Sequence, residues 1–416
     1  MSPESLLRHL FDRAVEVADP MRSLAQFLPA KPKGRVIVVG AGKASARMAE
    51  AVEAQWGPCE GLIITRYGYA RPCQGIEIIE AAHPVPDAAG LAATERMLKL
   101  LETCGPEDFV LCLMSGGASA LLIAPVAGVS LAEKQAVNAA LLSSGAPIDR
   151  MNTVRKHLSR VKGGQLAAAA FPARMLTLMI SDVPGDNPAF IGSGPTVAEL
   201  STPHDALAIL ERWQVMVPAS VFAALSRESH VIRPGDLRLA NTTNVVCAAP
   251  AQSLAAAAAL GRAEGYEVEI LGDALEGEAR DVAETQAKLA LDLRAARKQG
   301  AKPLLLLSGG ELTVTRRGNG VGGPNAEFCL ALAIALNGAD GIHALACDTD
   351  GVDGAAEVAG AIITPSTLER SQVLGLVAGD SLARNDAHSF FAALSAQVVT
   401  GPILTNVNDF RAIIIT

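Results

Sequence analysis

Short runs of β-branched residues and leucine alternate along the chain with longer segments in which apolar residues recur at helical spacing. In the first half, this pattern predicts buried strands followed by helices, as in a parallel sheet with helices on both faces. The sequence therefore predicts an α/β fold whose first domain is doubly wound and Rossmann-like. Its predicted strands lie at 35–39, 61–65, 76–80, 109–114 and 175–180, with helices at 44–55, 90–103 and 131–142.

A second series of strands and helices follows the polar segment 228–243, which we interpret as the passage between two domains. We predict a larger Rossmann-like α/β/α domain over residues 1–235 and a smaller α/β domain over 240–401. The final segment, 402–416, is a candidate for a return to the first domain. Strands of the second series are predicted at 244–249, 267–271, 303–308, 311–315, 342–347 and 411–416.

Composition narrows the class of protein. The chain has 416 residues, half of them apolar and only 4% aromatic, which favours aliphatic packing of helices on sheets. A net charge of −8 argues against nucleic acid as a partner. Seven cysteines without CxxC spacing predict reduced thiols. With no apolar run of 18 residues and no secretory signal, we expect a cytoplasmic protein without a membrane span.

The first glycine-rich turn follows the first predicted strand. Gly40 and Gly42 allow a backbone to approach an anion closely, and Lys43 adds a positive charge there. A dinucleotide fingerprint would need a third glycine where this chain has Ser45. Arg66, at the end of the second strand, would suit a 2′-phosphate, so an NADP-dependent dehydrogenase stays open. A tight turn with a solvated lysine is the simpler alternative.

A second turn follows the strand at 109–114. Ser115, Gly116 and Gly117 precede Ser119 at the start of a predicted helix, and their backbone N–H groups suit phosphate or carboxylate. The motif of a nucleophilic serine, G-x-S-x-G, is absent. The alternative is a turn that serves packing alone.

Polar residues are dense between 152 and 162. Asn152 and Arg155 are neighbours on a helix, and Lys162 precedes two glycines, which suggests an end that faces an anion. A solvated helix face is the competing interpretation.

Carboxylates follow the strand at 175–180. Asp182 stands at its carboxyl end, Asp186 comes four residues later, and Ser193 lies in a glycine-rich turn. This pairing suits metal binding and orientation of an alcohol. Asp residues that cap loops are the alternative.

The C-terminal half repeats this combination. Glu311 and Asp350 follow predicted strands, and a glycine-rich loop that we expect to be flexible ends at Asn325. Carboxylates beside a glycine loop fit a Mg-nucleotide site, and an acidic surface turn is the alternative. An EF-hand is excluded because Val352 stands at its fifth position.

Taken in order, these segments resemble the glycerate 2-kinase family, whose C-terminal part is a MOFRL-type module. The resemblance implies ATP-dependent conversion of D-glycerate to 2-phosphoglycerate with a divalent metal, in a cleft between two α/β domains. It makes Lys43 the active-site lysine and 115–117 a phosphate or substrate loop, and it includes Asp182. Its matching stretches are GAGKASARMAEA, HPVPDAAG, LMSGGASALL, NTVRKHLSRVKGG, ISDVPGDNPAFIGSGPT, SGGELTV, GGPNAEF, DTDGVDG and GPILTNVND.

Two segments depart from the family pattern. Many relatives have arginine where this chain has Pro324, so a positive charge is absent there. Ile403 and Leu404 replace two residues of a G-P-T-G-T-N-V segment.

These observations combine into one hypothesis for phosphoryl transfer. Lys43, with Arg155 or Lys162, neutralises negative charge, and Asp182 orients or deprotonates the 2-hydroxyl. ATP, Mg²⁺ and D-glycerate are the expected partners. Candidate metal ligands are Asp186, Glu311 and Asp350, and candidate substrate or phosphate contacts are Gly40, Gly42, Ser115, Gly116, Gly117, Ser119, Asn152, Lys162, Ser193 and Asn325.

Two other functions stay open at this point. One is an NADP-dependent hydroxypyruvate reductase, and the other is a non-catalytic protein that binds a sugar-acid phosphate. The sequence does not predict which domain holds the adenine, and we allow for a homo-oligomer.

Overall fold

The chain divides into two compact units. The computed structural model describes residues 1–298, 300–354 and 356–416. What we call the first unit is Pro20–Cys247, and the second unit combines Met1–Asp19 with Ala248–Thr416. The N-terminal helix α1 (Pro3–Ala18) therefore belongs to the second unit, whereas the sequence grouped it with the residues that follow it.

A six-stranded sheet forms the centre of the first unit, and its spatial order is β3-β2-β1-β4-β5-β6. All pairings among the first five strands are parallel. In this doubly wound order the winding reverses between β1 and β4, and ligands bind beside that reversal at the carboxyl ends of the strands. The strands are β1 (Val36–Ala41), β2 (Glu60–Arg66), β3 (Ile76–Ala81), β4 (Phe109–Met114), β5 (Arg174–Ile180) and β6 (Thr242–Ala248).

Helices cover both faces of this sheet. On one face, α4 packs with the side chains of Val39 and Cys112 in a single apolar cluster, to which α3 contributes nothing. Because α3 contacts β1, β2 and β4, it lies on the opposite face. A separate apolar cluster joins α6, α7, α9 and α10. The helices are α2 (Pro20–Ser23), α3 (Ser45–Trp56), α4 (Ala88–Leu101), α5 (Ala118–Leu121), α6 (Leu131–Ser143), α7 (Ile148–His157), α8 (Gln165–Ala169), α9 (Pro203–Arg212) and α10 (Ala219–Leu225).

The second unit has a mixed sheet in the order β13-β12-β11-β14-β9-β7. Antiparallel pairings join β13 to β12, β12 to β11, β11 to β14 and β14 to β9, whereas β7 and β9 are parallel. A short parallel ribbon of β8 and β10 is separate. The strands are β7 (Glu267–Gly272), β8 (Gly277–Glu278), β9 (Leu304–Gly310), β10 (Leu312–Thr313), β11 (Ile342–Asp348), β12 (Gly360–Ile363), β13 (Gln397–Val398) and β14 (Asp409–Ile415).

Both faces of the second sheet are also covered by helices. Leu305 and Leu307 of β9 pack with α1 and α11, and Leu304 and Leu306 pack with α12 and α13, as the alternation of side chains along a strand requires. The helices are α11 (Pro250–Ala263), α12 (Ala279–Ala296), α13 (Pro324–Leu336), α14 (Thr367–Val373), α15 (Ala378–Ala383) and α16 (Ala387–Ala393).

The predicted α/β class with a doubly wound first sheet is confirmed. Two segments that the sequence analysis assigned to one domain belong to the other unit in the structure. The strand at 244–249, predicted to open the second domain, is part of β6 in the first sheet. The segment 402–416 does not return to the first unit, because β14 hydrogen-bonds to β11 and β9. Among the described residues, helices that combine the length and apolar character of a membrane span are absent.

Candidate active site

Two glycine-rich turns meet where the winding of the first sheet reverses. The backbone N–H of Lys43 donates to the carbonyl of Gly116 over 2.8 Å. The N–H of Ala44 donates to the Ser115 hydroxyl over 3.0 Å. A Cβ on Gly42 would lie 2.1 Å from Ser115 Oγ, so only glycine fits there. The turns at Gly42–Lys43 and Ser115–Gly116 are far apart in the sequence, and these hydrogen bonds bring them into direct contact in the structure.

Ser45 occupies the place of the third glycine of a dinucleotide fingerprint. Its hydroxyl donates to the carbonyl of Leu113 over 3.0 Å and lies 3.1 Å from Ser115 Oγ. A glycine at that position normally allows a helix to pack closely on the sheet. Here the buried Ser45 side chain fills that space and ties the start of α3 to the end of β4.

His83 stands beside the same turns, although sequence reasoning assigned it no role. A Cβ on Gly117, whose φ is +81°, would lie 3.0 Å from His83 Nε2 and 3.2 Å from Lys43 Cγ. The imidazole and the lysine therefore flank Gly117. The only signal in the sequence was the HPVP segment of the family resemblance. Gly117 itself precedes α5, which is only four residues long.

A chain of polar contacts links four residues from three segments of the first unit. The hydroxyl oxygens of Ser119 and Ser193 lie 2.7 Å apart. Ser193 Oγ donates to Asn152 Oδ1 over 3.2 Å, and Arg155 Nη1 reaches the same oxygen at 3.5 Å. Four predicted ligand contacts are therefore brought together, although the sequence spreads them from 119 to 193.

A cavity of about 590 Å³ opens beside this chain of contacts. Arg155 Nε and Asn138 Oδ1 are buried polar atoms of its wall that have no hydrogen-bond partner among the described residues. Burial lowers the pKa of Arg155, because no carboxylate in the described part of the chain pairs with its charge. The wall also includes His83, Pro84, Val85, Pro86, Gly117, Ser119, Ala120, Gln135, Ala136, Ala139, Leu142 and Ile148.

Two buried lysines lie behind this wall. The Lys162 ammonium donates to the carbonyls of Ser119 and Leu122 over 2.8 and 3.3 Å. Lys134 donates to the carbonyls of Arg155 and Leu158 over 3.0 and 2.9 Å. Burial lowers the pKa of Lys134 to about 7 and that of Lys162 well below its usual value. Lys162, predicted to face an anion, contacts backbone carbonyls and is only 1% exposed.

The two carboxylates after β5 are partly buried. Asp182 follows the strand by two residues, as predicted. Asp186 adopts a positive φ of 53°, and its buried Oδ1 has no hydrogen-bond partner in the part of the chain that the structure describes. Asp186 therefore offers an oxygen that can bind a cation.

Asn325 belongs to a buried network of the second unit. Its side-chain amide donates to Asp409 Oδ1 over 2.7 Å, and its backbone N–H donates to Asp353 Oδ1 over 2.9 Å. The second Asp353 oxygen accepts from Ala326 N–H over 2.8 Å, so this carboxylate caps α13. Burial raises the pKa of Asp409 to about 6, while its ion pair with Arg411 acts in the opposite direction. Asn325 is completely buried in this network.

The glycine loop before α13 is held by hydrogen bonds, contrary to the flexible loop that its composition suggested. Asn385 Oδ1 accepts from the backbone N–H groups of Arg317 and Gly318 over 2.7 and 2.9 Å. Asp386 Oδ1 accepts from Val321 N–H over 3.0 Å. Its glycines are needed for close packing, since a Cβ on Gly323 would lie 2.4 Å from the Asp353 carboxyl carbon.

The other predicted metal ligands of the second unit differ in exposure. Glu311 is exposed just after β9, whereas Asp350 is 1% exposed and its Oδ1 accepts from Val352 N–H over 2.8 Å. Within 1–298, 300–354 and 356–416, no three His, Cys, Asp or Glu side chains are grouped as a metal site. The assignment of Asp186, Glu311 and Asp350 as metal ligands therefore stays a prediction.

Comparison with known proteins assigns the chain to a family. Residues 6–226 match the family described as domain of unknown function DUF4147, and residues 304–409 match the MOFRL family. The D-glycerate 2-kinase of Thermotoga maritima is 38% identical over 415 residues, with 98% of each chain covered. This chain belongs to the glycerate 2-kinase family.

The family relationship extends to three dimensions. The crystal structure of a glycerate kinase from Thermotoga maritima has a TM-score of 0.87 and 36% identity to this chain, and the match covers all of both chains. A relative from Agrobacterium vitis, provisionally named a hydroxypyruvate reductase, is 48% identical over 419 residues, covering 100% of this chain and 95% of its own. Names within the family therefore include both a kinase and a reductase.

Proposed function

We propose that this chain is an ATP-dependent glycerate 2-kinase that converts D-glycerate to 2-phosphoglycerate. The observation that carries the proposal is the meeting of Lys43 with 115–117 at the carboxyl ends of β1 and β4, where doubly wound folds bind ligands. Full-length similarity to named glycerate kinases supports the substrate.

In this reaction the 2-hydroxyl oxygen forms a bond to the γ-phosphorus, the bond from that phosphorus to ADP breaks, and the hydroxyl proton leaves. The demands on the protein are alignment and neutralisation of charge. Lys43 and Arg155 supply positive charge to the phosphoryl oxygens or to the glycerate carboxylate. Asp182 orients the 2-hydroxyl and accepts its proton.

Ser119, Ser193 and Asn152 position Arg155 through the chain of contacts described above. Lys162 supports this arrangement from behind, since its ammonium binds the Ser119 carbonyl. We accordingly give Lys162 a positioning role in place of direct contact with phosphate.

Magnesium fits the carboxylate side of the site. Mg²⁺ in phosphoryl-transfer enzymes is usually held by one or two carboxylates together with phosphate oxygens, so a group of three protein ligands is not required. The buried, unpartnered Oδ1 of Asp186 fits that need. When bound, the ion neutralises phosphate charge.

We also place the enzyme in the cytoplasm, because all seven cysteines are free thiols, as expected in a reducing compartment.

The alternative of a hydroxypyruvate reductase is supported by the name of the Agrobacterium vitis relative and by the position of Arg66 at the end of β2. The strand order alone fits either activity. Ser45 argues against a reductase, because its side chain occupies the space that the third glycine of a dinucleotide fingerprint would leave free. Arg66 is the residue that would bind the 2′-phosphate of NADP. Its guanidinium carbon lies 5.2 Å from the Tyr69 ring centroid, so this charge already makes a cation–π contact within the chain.

A coupled assay tests the proposal. Purified protein with D-glycerate and MgATP should form ADP, and its product should be a direct substrate of enolase, which distinguishes 2-phosphoglycerate from the 3-isomer. A parallel assay follows NADPH absorbance with hydroxypyruvate. Consumption of NADPH without ADP formation would refute the kinase assignment.

A further inference from the structure

We infer that the cavity of the first unit binds the adenine nucleoside of ATP, with the phosphates directed toward Gly117 and Arg155. This inference rests on the proposed kinase activity and assigns the nucleotide to one unit.

The size of the cavity favours a nucleoside over glycerate. Cofactor and ligand sites commonly measure about 300–1,000 Å³, and this cavity of about 590 Å³ falls in that range. A three-carbon acid would leave most of the volume empty. The larger of the two substrates therefore matches the space.

The wall of the cavity contains both apolar and positively charged side chains. Val85, Leu142 and Ile148 are 61%, 63% and 54% exposed, although they are large apolar side chains. A planar base packed among them would remove this apolar surface from water. Arg155 in the wall, and Lys43 beside Gly117, provide the positive charge that phosphates need.

The unpartnered polar atoms of the wall match the chemistry of the same ligand. Asn138 Oδ1 is a buried acceptor, and the exocyclic amine of adenine is a donor. Guanine has an acceptor at the corresponding position and would not pair with this oxygen. Arg155 Nε is a buried donor suited to a phosphate oxygen.

α6 and α7 present these groups at helical spacing. Asn138 and Leu142 are one turn apart on α6, and Ile148 and Arg155 are two turns apart on α7. The wall is therefore built on regular elements, which favours a preformed pocket.

The test measures ADP binding by calorimetry without glycerate, in wild type, Ile148→Trp and the control Met216→Trp. Ile148 is half-exposed, so tryptophan should fill the cavity without disturbing the core, and Met216 is an 87% exposed side chain of the same unit outside the cavity. Ile148→Trp should weaken ADP binding at least tenfold, and Met216→Trp should bind as wild type does. Circular dichroism melting confirms that each variant is folded.

Asn138→Leu provides a second readout. Loss of the acceptor should reduce the preference for ATP over GTP in kcat/KM by about tenfold, because a site that hydrogen-bonds one substrate rejects an analogue that leaves the group unpaired. The KM for D-glycerate should stay unchanged.

The outcomes separate the two proposals. If wild type is an active kinase and Ile148→Trp binds ADP as tightly as wild type does, only the assignment of the nucleoside to this cavity is overturned. Absence of ADP formation by wild type, with NADPH binding that Ile148→Trp abolishes, would overturn both.

Discussion

The ammonium group of Lys162 donates a 2.8 Å hydrogen bond to the carbonyl oxygen of Ser119, so one residue predicted to bind phosphate supports the backbone of another. Ser119 lines the cavity, whereas Lys162 is buried behind it. A lysine before two glycines has the sequence pattern of an anion-binding site. In the structure, the Lys162 side chain instead donates hydrogen bonds to backbone carbonyl groups.

Lys162→Met should therefore act mainly on stability. The substitution leaves two buried carbonyls without their donor, which costs about 1–3 kcal/mol of unfolding free energy. Thermal denaturation should show a lower Tm than Lys99→Met, an exposed lysine on α4. If Tm is unchanged and only the KM for ATP rises, Lys162 is a phosphate ligand after all.

The buried Lys134 should make stability depend on pH. Its pKa falls from 10.5 to about 7 on folding, mainly through burial. Between these values the unfolded chain binds a proton that the folded chain lacks, so stability rises with pH by up to about 1.4 kcal/mol per unit. Below pH 7 both states are charged, and no further change is expected from this group.

Lys134→Met should remove this contribution. Denaturant unfolding should show that the unfolding free energy rises more between pH 7 and pH 9 for wild type than for the variant. Identical gains in the two proteins would contradict the lowered pKa.

Lys43→Ala should reduce kcat by roughly 10²-fold or more, comparable with the loss of one preorganised charge-stabilising donor. Its side chain is half-buried at a turn, so Tm should change little. Steady-state kinetics with saturating MgATP measures the effect. A variant that keeps wild-type turnover would make Lys43 a solvated turn residue.

Asp182→Asn and Asp186→Asn should differ. The first should lower kcat more than it raises KM, because orientation of the hydroxyl matters most in the transition state. The second should raise the Mg²⁺ concentration needed for half-maximal activity. Magnesium titrations of both variants test this division, and identical effects confined to KM would argue against it.

Pro324→Arg should bring little gain in activity. Pro324 is the first residue of α13, a position where proline is well suited to the helix geometry. The hydrogen bonds of Asp353 to Asn325 and Ala326 are in place in this chain. We therefore expect an active wild type whose charge comes from Lys43 and Arg155. A large increase in kcat/KM in the arginine variant would indicate instead a site that has lost function.

The first sheet was largely predictable from sequence, because its central strands are continuous apolar runs of a parallel sheet. β6 was assigned to the wrong unit, since the polar segment before it has the composition of a linker. β12 and β13 are too short to give a period, at four and two residues. The antiparallel order of the second sheet depends on pairing across long separations, which local patterns do not encode.

The site was predictable where glycine was required. Gly42 and Gly117 stand where the backbone comes so close to neighbouring residues that a side chain has little room. Such glycines are visible in the sequence, and they pointed to Lys43 and Ser115 beside them. Asn138 was missed because it lies within a helix, where a single polar residue gives no sign in the sequence of the cavity that it lines. Burial decided the role of Lys162, and burial is a property of the folded chain alone.

The position of β14 has a consequence for the order in which the protein is made. The second unit is assembled from the first and last parts of the chain, and β14, its final strand, lies between β11 and β9. A ribosome completes residues 20–247 well before this strand emerges, so the first unit can fold during synthesis. Helix α1 is synthesised before the first unit, whereas β14, which joins the two halves of its sheet, is synthesised after that unit. Removal of the seven residues of β14 would leave β11 and β9 each without one of the two strands to which they hydrogen-bond.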